Sequence, residues 1–397
     1  MNSIPDYCKA LADSKLASEK RRFVGVSVVK NESDVIEYFV RCNLRYLDAM
    51  VVIDNGSVDE TRRILAALSR EPLPLVVLDD DRVGHFQGRR LTGLARACAQ
   101  ALGAGYVVPL DADEFICAPG RDAYRDLVEY ASHDTVPMVF WRTFVPTPDD
   151  DAADPNPLRR ITHRRVHERE DIGKVVIPAS VLEDESVVLL EGSHGLVSDR
   201  GDLLHATFDG VRLAHFPIRS AAQFVSKALI GQLSIHLNPD RVSGSAFHWK
   251  AMFEHVVDSW DVSPEALREF GCIYSDHHAS GLVFDPLDAS FAPACRYPQL
   301  AEPDVHARVA GFLRAMLSQH PVYPVARTRG LLERLQTATT RTEGKAVVKD
   351  VFDDVVRYCQ SVDHSEGNRD RRRIRRVHLP PFEPCTETAA RREAVGG

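Results

Sequence analysis

Short apolar runs that alternate with helical patterns, each run closed by a polar cluster, constrain this chain more than any other feature. Phe23-Val24-Gly25-Val26-Ser27-Val28-Val29 is nearly continuous in its apolar character, as strands buried on both faces are. It stops at Lys30-Asn31-Glu32. From Ser33 onward Val35, Ile36, Phe39, Val40, Leu44 and Leu47 recur at helical spacing, with Ser33 or Asn31 available as the N-cap. A second strand, Ala49 to Ile53, breaks at Asp54-Asn55-Gly56-Ser57. A helix follows from Asp59 through Leu68, and Leu75 to Leu78 reads as a third strand. The helical pattern from Arg89 to Leu102 then leads through Gly103-Ala104-Gly105 into a fourth strand, Tyr106 to Leu110, which ends at Asp111-Ala112-Asp113-Glu114-Phe115. Such alternation predicts an α/β fold with a largely parallel sheet and helices on both faces, and sheets of this kind bind ligands beyond the carboxyl ends of their strands. The polar clusters all lie there.

The rest of the chain is patterned differently. Residues 145–157 are too rich in Pro and Asp for regular structure and read as an excursion within the same region. Strands are expected at Val175 to Ile177, Val187 to Leu190 and Val211 to Phe216, and a helix over Ser220 to Leu233. Beyond Pro264 the sequence is mostly helical, and residues 361–397 read as disordered. A length of 397 residues accommodates a domain with an extension. The expected organisation is a polar lead-in over 1–21, an α/β domain over 22–260, a helical region over 261–360 and a basic tail over 361–397.

Charge and cysteine usage narrow the setting. The 49 Lys and Arg against 57 Asp and Glu give −8, so nothing draws the whole chain to nucleic acid, and no nucleic-acid partner is expected. One local exception is Arg369 to Arg376, six arginines with one aspartate, which suits anionic lipid headgroups or an acidic acceptor and equally suits a solvated tail. Eight cysteines are scattered singly with no Cys-x-x-Cys pair, and they read as reduced thiols. No apolar leader or run of about 20 apolar residues is present. A cytoplasmic location, with peripheral contact to the inner membrane face through the arginines, is the expectation.

Asp111 and Asp113, at i and i+2 on a strand-ending turn, can share a divalent cation and the diphosphate bound to it, since Mg²⁺ and Mn²⁺ take oxygen ligands and substrate phosphates. An isolated Asp-x-Asp is as readily a helix cap beside a solvated carboxylate. Asp54 and Asn55, with Gly56 allowing a tight turn, could hold a base or ribose, or serve only as a turn and cap. It is the convergence of Lys30-Asn31-Glu32, Asp54 to Thr61 and Asp111 to Phe115 on one crevice that favours a nucleotide site.

In this order and spacing, Val28-Val29-Lys30-Asn31-Glu32, Asp54-Asn55-Gly56-Ser57-Val58-Asp59-Glu60-Thr61 and Leu110-Asp111-Ala112-Asp113-Glu114-Phe115 resemble the GT-A nucleotide-sugar glycosyltransferases, in particular a branch of glycosyltransferase family two. The resemblance covers roughly residues 22–230. It implies that Val29, Lys30, Glu32, Asp54 and Asn55 contact the nucleoside, and that Asp111 and Asp113 hold Mn²⁺ or Mg²⁺ with the diphosphate. The commoner family pattern is Asp-Asp-Gly-Ser, so Asn55 is a departure. Arg89 or Arg90 occupies a region where the family often places a basic residue near the donor.

Downstream, Leu213-Ala214-His215-Phe216-Pro217-Ile218-Arg219-Ser220 with Phe224 and Lys227 resembles a further segment of that branch. His215 can complete a metal sphere or bond a phosphate oxygen, with a buried core histidine as the competing reading. Lys227 can neutralise the leaving diphosphate or stand in solvent. Inverting transfer needs a base on the acceptor hydroxyl. Asp184 and His194 are the candidates, with Asp199 in competition; the acidic run around Asp184 also reads as a solvated loop, and the Gly-flanked His194 as a turn residue without a role.

The function expected is therefore a metal-dependent transferase moving a sugar, from a UDP-sugar by preference, to a glycan, lipid-linked or other hydroxyl acceptor with inversion. A nucleotidyltransferase would also use a carboxylate pair, yet Val24 to Asn31 carries only Gly25 where a glycine-rich phosphate loop is usual. A non-catalytic nucleotide-sugar-binding scaffold is the remaining alternative.

Overall fold

The computed structural model describes residues 4–17, 22–84, 87–132, 135–169, 172–236, 247–257, 260–276, 280–288, 295–297, 304–319, 325–338 and 344–366. Its centre is a sheet of β1 (Phe23–Val29), β2 (Ala49–Asp54), β3 (Leu75–Asp79), β4 (Tyr106–Pro109) and β9 (Ile177–Pro178) in the order β3-β2-β1-β4-β9. β1 pairs in parallel with β2 and β4, β2 pairs in parallel with β3, and only β9 runs antiparallel. The apolar runs are continuous because both faces are covered. Phe23, Val29, Met50 and Val52 pack toward α2 (Ile36–Asn43) and α3 (Thr61–Leu68). The alternate residues Val24, Val26, Val51 and Ile53 pack toward α1 (Ile4–Ala12) and α4 (Gln87–Leu102).

The lead-in is thus partly helical: Tyr7 and Leu11 of α1 are buried in this second core. α2 begins at Ile36, and its N-cap residue Val35 makes no side-chain cap bond. The two residues expected to cap it are committed elsewhere. Asn31 Oδ1 accepts the Val58 N–H at 2.9 Å, and Ser33 Oγ accepts from Arg308 Nη2 at 3.1 Å.

No element was expected between Phe115 and Val145, and this stretch forms β5 (Glu114–Cys117), α5 (Arg121–Ala131) and the ten-residue β6 (Val136–Val145). β6 organises a second, mixed sheet with β7 (His163–Arg165), β14 (Arg212–His215) and β15 (Leu282–Phe284) in the order β15-β7-β6-β14-β5; β8 (Gly173–Val175) and β13 (His205–Thr207) also pair with β6. The single strand expected over Val175 to Ile177 is two. β8 joins β6 and β9 joins β4, so this short segment ties the sheets together.

Between them β10 (Val188–Leu189), β11 (Leu196–Ser198) and β12 (Gly201–Asp202) form a small antiparallel flap over α4. A short helix, α6 (Pro157–Arg160), follows the Pro- and Asp-rich excursion. Then come α7 (Ala221–His236), α8 (Phe247–Val256), α9 (Pro264–Cys272), α10 (Val305–Gln319), α11 (Val325–Ala338) and α12 (Gly344–Glu366).

Residues 1–356 pack as one unit. Within it α10 reaches the strand-end turns. Arg308 donates to Ser33 and to Asp59 Oδ2 at 2.7 Å, and Gln319 bonds Val83 N and the Asp81 carbonyl, both at 2.8 Å. The arginine run 369–376 lies outside the described residues. Cys8, Cys42, Cys98, Cys117, Cys272 and Cys295 are free thiols. Among the described residues no helix is long and apolar enough to cross a membrane.

Candidate active site

The turns after β1, β2 and β3 are bonded to one another before any ligand is considered. Asn31 takes φ +58°, a left-handed conformation that Asn tolerates better than most residues, and its N–H donates to Ser57 Oγ at 2.9 Å. The Asn55 N–H donates to the Val29 carbonyl at 2.8 Å, and Lys30 Nζ donates to the Asn55 carbonyl at 2.5 Å. Lys30 stands over the Phe312 ring at 5.6 Å, and burial pulls its ammonium pKa down to about 8. Asn55 Nδ2 gives its hydrogens to the carbonyls of Asp80 at 2.7 Å and Arg82 at 2.9 Å. That answers the departure noted in the sequence, since a carboxylate at position 55 would face two carbonyl oxygens with no proton to offer.

Asp54 is buried with its Oδ1 accepting from Ser57 N at 3.3 Å and its Oδ2 3.2 Å from Arg62 Nε. Its carboxylate holds the turn, the turn-and-cap reading that the sequence left open beside a nucleoside contact. A residue the sequence reading missed, Asp80, closes β3 and binds Arg82 Nε at 2.7 Å and Arg90 Nε at 2.9 Å. Burial alone would raise the Asp80 carboxyl, and these two guanidiniums reverse that and bring it to about 2. Arg90 is buried and Arg89 exposed, and both line a cleft of about 670 Å³ together with Val29, Lys30 and Asn55.

Asp111 and Asp113 follow β4 in the same cleft, and each carboxylate is bound by its own lysine. Asp111 accepts from Lys174 Nζ at 2.6 Å on one oxygen and from Gln87 Nε2 at 2.5 Å on the other. Lys174, wholly buried, also lies 3.4 Å from Glu114, whose oxygens accept the Asp111 N–H at 3.0 Å and the Trp141 indole N–H at 2.8 Å. Burial, with Asp111 and Asp113 adding to it, pushes Glu114 up to about 8. Asp113 Oδ2 accepts from Lys227 Nζ at 2.9 Å and lies 3.7 Å from Arg219 Nη1. Burial would raise the Asp113 carboxyl too, but Lys227, His215 and Arg219 more than compensate and hold it well below the usual carboxylate range.

Arg219 ties the site together. Fully buried, it donates to Glu32 Oε2 at 2.5 Å, to Asp34 Oδ2 at 2.6 Å and to the Phe216 carbonyl at 3.0 Å. It thereby joins the turn after β1 to the loop after β14. Burial still lifts Glu32 to about 7.

The fit of a metal is partial. Among the described residues no group of three or more His, Cys, Asp or Glu is arranged to hold one. Of the three expected ligands, Asp113 Oδ1 and His215 Nε2 face each other at 3.9 Å, a span two donors to one cation can take, whereas Asp111 has both oxygens bound by Lys174 and Gln87. His215 Nδ1 is buried with no hydrogen-bond partner. Two protein donors suit a cation whose other ligands are substrate phosphates and water. His215 lines the cleft and is buried, with its ring stacked on Trp141 at 4.3 Å.

His194 reaches the cleft from the flap. Its Nδ1 lies 2.8 Å from the Gly173 carbonyl, which can only accept, so Nδ1 carries the hydrogen and Nε2 keeps a lone pair. Burial lowers its pKa to about 4. Gly192 makes this placement possible: at φ +74° it avoids strain, and a Cβ there would meet His194 Nε2 at 2.5 Å. Asp184, the other candidate base, is placed differently. It is exposed, away from the cleft lining, with its Oδ1 accepting from Ser186 N at 2.9 Å and Ser186 Oγ at 2.7 Å. Asp199 is exposed as well. Besides Asp80, the sequence reading missed Gln87, Trp141, Lys174, Tyr274, His248 and Trp249 and assigned no role to Arg219. Lys174 carried a signal, because a lysine inside an apolar strand is rarely buried without a partner.

Residues 26–179 match the family model Glycosyl transferase family 2. The match runs from within β1 to just past β9 and so takes in the strands of the central sheet. No curated protein sequence matches the chain. Among solved structures, S. aureus TarS residues 1–349 is 15% identical over 91% of this chain and 99% of that one, with a TM-score of 0.32. A complex of the same TarS fragment with UDP gives 15% identity over the same shares and a TM-score of 0.30. Glucosyl-3-phosphoglycerate synthase from Mycobacterium tuberculosis, in complex with Mn²⁺, UDP and glucosyl-3-phosphoglycerate, is 22% identical over 35% of this chain and 48% of that one, with a TM-score of 0.23.

Proposed function

We propose that this glycosyltransferase moves a sugar from a nucleoside diphosphate donor, uridine preferred, to a hydroxyl of a glycan or lipid-linked acceptor with inversion at the anomeric carbon. The observation that carries the reading is that Lys30, Asn55, Asp113 and His215 line a single cleft, with Lys227 and Arg219 gathered at Asp113. Val29, Lys30, Glu32 and Asn55 edge the nucleoside, and Arg89 and Arg90 face the donor phosphates. Mn²⁺ or Mg²⁺ on Asp113 and His215 would stabilise the charge gathering on the departing diphosphate. Lys174 and Gln87 fix the orientation of Asp111 beside that pair.

His194 is the proposed base. Neutral at pH 7 and with Nδ1–H committed to Gly173, it offers Nε2 to the acceptor hydroxyl proton as the acceptor oxygen bonds the anomeric carbon and the carbon–diphosphate bond breaks. Residues 22–260 are taken as the transfer domain, to which Tyr274 and Arg308 of the helical region contribute side chains.

The test is a thermal-shift panel of UDP-, GDP- and TDP-sugars with and without Mn²⁺. A UDP-sugar with Mn²⁺ is expected to raise Tm most, since ligand at a hundred times its Kd stabilises the native state by about 2.7 kcal/mol. No shift with any donor, metal present or absent, would sink the reading. The Arg369 to Arg376 run is proposed to give salt-sensitive contact with anionic membranes. Removing residues 367–397 is then expected to weaken binding to anionic vesicles, and unchanged binding would leave the arginines as a solvated tail.

A further inference from the structure

The lining of the cleft combines two chemistries. Lys30, Asn31, Asn55 and Arg90 belong to it, and so does a row of rings in contact with one another. His194 meets Trp141 edge-on at 5.3 Å, Trp141 stacks on His215 at 4.3 Å and His215 meets Tyr274 edge-on at 5.6 Å between centroids. Tyr274 then meets His248 at 4.5 Å, and His248 meets Trp249 at 6.0 Å. All six rings line the cleft.

Two of them are seated by their surroundings. The Trp141 indole N–H is bound to Glu114 at 2.8 Å, and Trp249 rests against α7 where Gly231 has no side chain; a Cβ there would come within 2.7 Å of the indole. Ser226, Ser234 and Ser275 add hydroxyls along the same wall. The cation set against these rings, Lys227, stands 5.5 Å from the Tyr274 centroid with its ammonium already bound to Asp113 at 2.9 Å and to the Pro217 carbonyl at 3.1 Å. An anionic acceptor would have to compete for it.

We propose that this ring-lined wall binds the acceptor by the C–H face of an uncharged sugar ring laid on Trp249, whose position is fixed through His248 by Tyr274, with Ser234 and Ser275 bonding its hydroxyls. The faces of aromatic rings carry negative charge and attract polarised C–H bonds, and a few fixed polar groups at the rim orient such a ligand. The inference rests on the glycosyl-transfer reading and narrows its acceptor class to saccharides, as against polyol phosphates or lipid chains.

The chain has three tryptophans, and two of them line this cleft, so its own fluorescence is the probe. The third, Trp260, stacks on His306 at 4.8 Å and is removed by Trp260→Phe. In that background, with UDP and Mn²⁺ present, cellobiose, maltose, lactose and chitobiose are titrated in parallel with glycerol 3-phosphate and a short-chain detergent. The expected result is a saturable change with at least one disaccharide, weakened roughly tenfold by Tyr274→Leu and by Trp249→Phe, as displacement or loss of a good stacking surface would give.

Circular dichroism checks that each variant folds, and the Trp260→Phe titrations alone decide the matter if neither variant does. Saturation by glycerol 3-phosphate or detergent but by no disaccharide overturns the proposal, and so does the absence of any saturable response. UDP binding in the same samples keeps the two readings apart. If UDP binds and the saccharides do not, only the acceptor platform fails; if UDP does not bind, the donor site itself is misplaced.

Discussion

Arg219→Met is expected to lower the unfolding free energy by about 3 kcal/mol. That is the low end of the range for breaking a buried ion pair, because Glu32 and Asp34 keep 17% and 21% of their side chains exposed. Three carboxylates, Glu32, Asp34 and Asp113, lie within 4 Å of this guanidinium, and removing it leaves them repelling one another next to the Phe216 carbonyl. Arg219→Lys should recover less than half of the loss, since a single ammonium cannot reproduce a planar fork that reaches Glu32, Asp34 and a carbonyl together. Urea denaturation midpoints measure both variants. A methionine variant with the wild-type midpoint would show that the cluster contributes nothing.

Asp113→Asn is expected to reduce transfer by roughly 100-fold or more, the scale seen when one electrostatic partner of a developing charge is lost. The amide keeps the shape of the carboxylate but removes the anionic oxygen that faces His215 Nε2 and the counter-charge of Lys227. Stability is expected to fall as well, by about 1–2 kcal/mol, because the Lys227 ammonium loses its anionic partner and faces a neutral amide. Adding Lys227→Met to Asp113→Asn removes the stranded cation, so the double variant should regain stability and remain inactive. Rates near wild type in Asp113→Asn at limiting Mn²⁺ would remove Asp113 from the chemistry. A double variant no more stable than the single one would show that Lys227 was never stranded.

The four parallel strands and their closing clusters were legible because period and turn chemistry are local. Phe23–Val29 is apolar in both phases except at Ser27, as a strand covered on both faces requires, and the structure covers it on both. The carboxylates of Asp111 and Asp113 at the end of the fourth strand were legible for the same reason. β6 was not, since Val136–Val145 mixes prolyl, aromatic and charged residues whose sense comes from four partner strands distant in sequence.

Which residues share the site was decided by pairing over distances no local pattern encodes. Lys174 reaches Asp111 across 63 residues, Lys227 reaches Asp113 across 114 and Arg219 reaches Glu32 across 187. The same pairing separates look-alike acids. Asp54 is held by Ser57 and Arg62, and Asp184 by Ser186 on an exposed turn, although in the sequence each was a candidate beside Asp113. The sequence alone determined where strands end and which of their ends are polar, because steric and hydrophobic periodicity act within a few residues. The tertiary structure decided which of those polar groups face the cleft, because a buried charge is stable only where folding brings it an opposite charge or a hydrogen-bond partner.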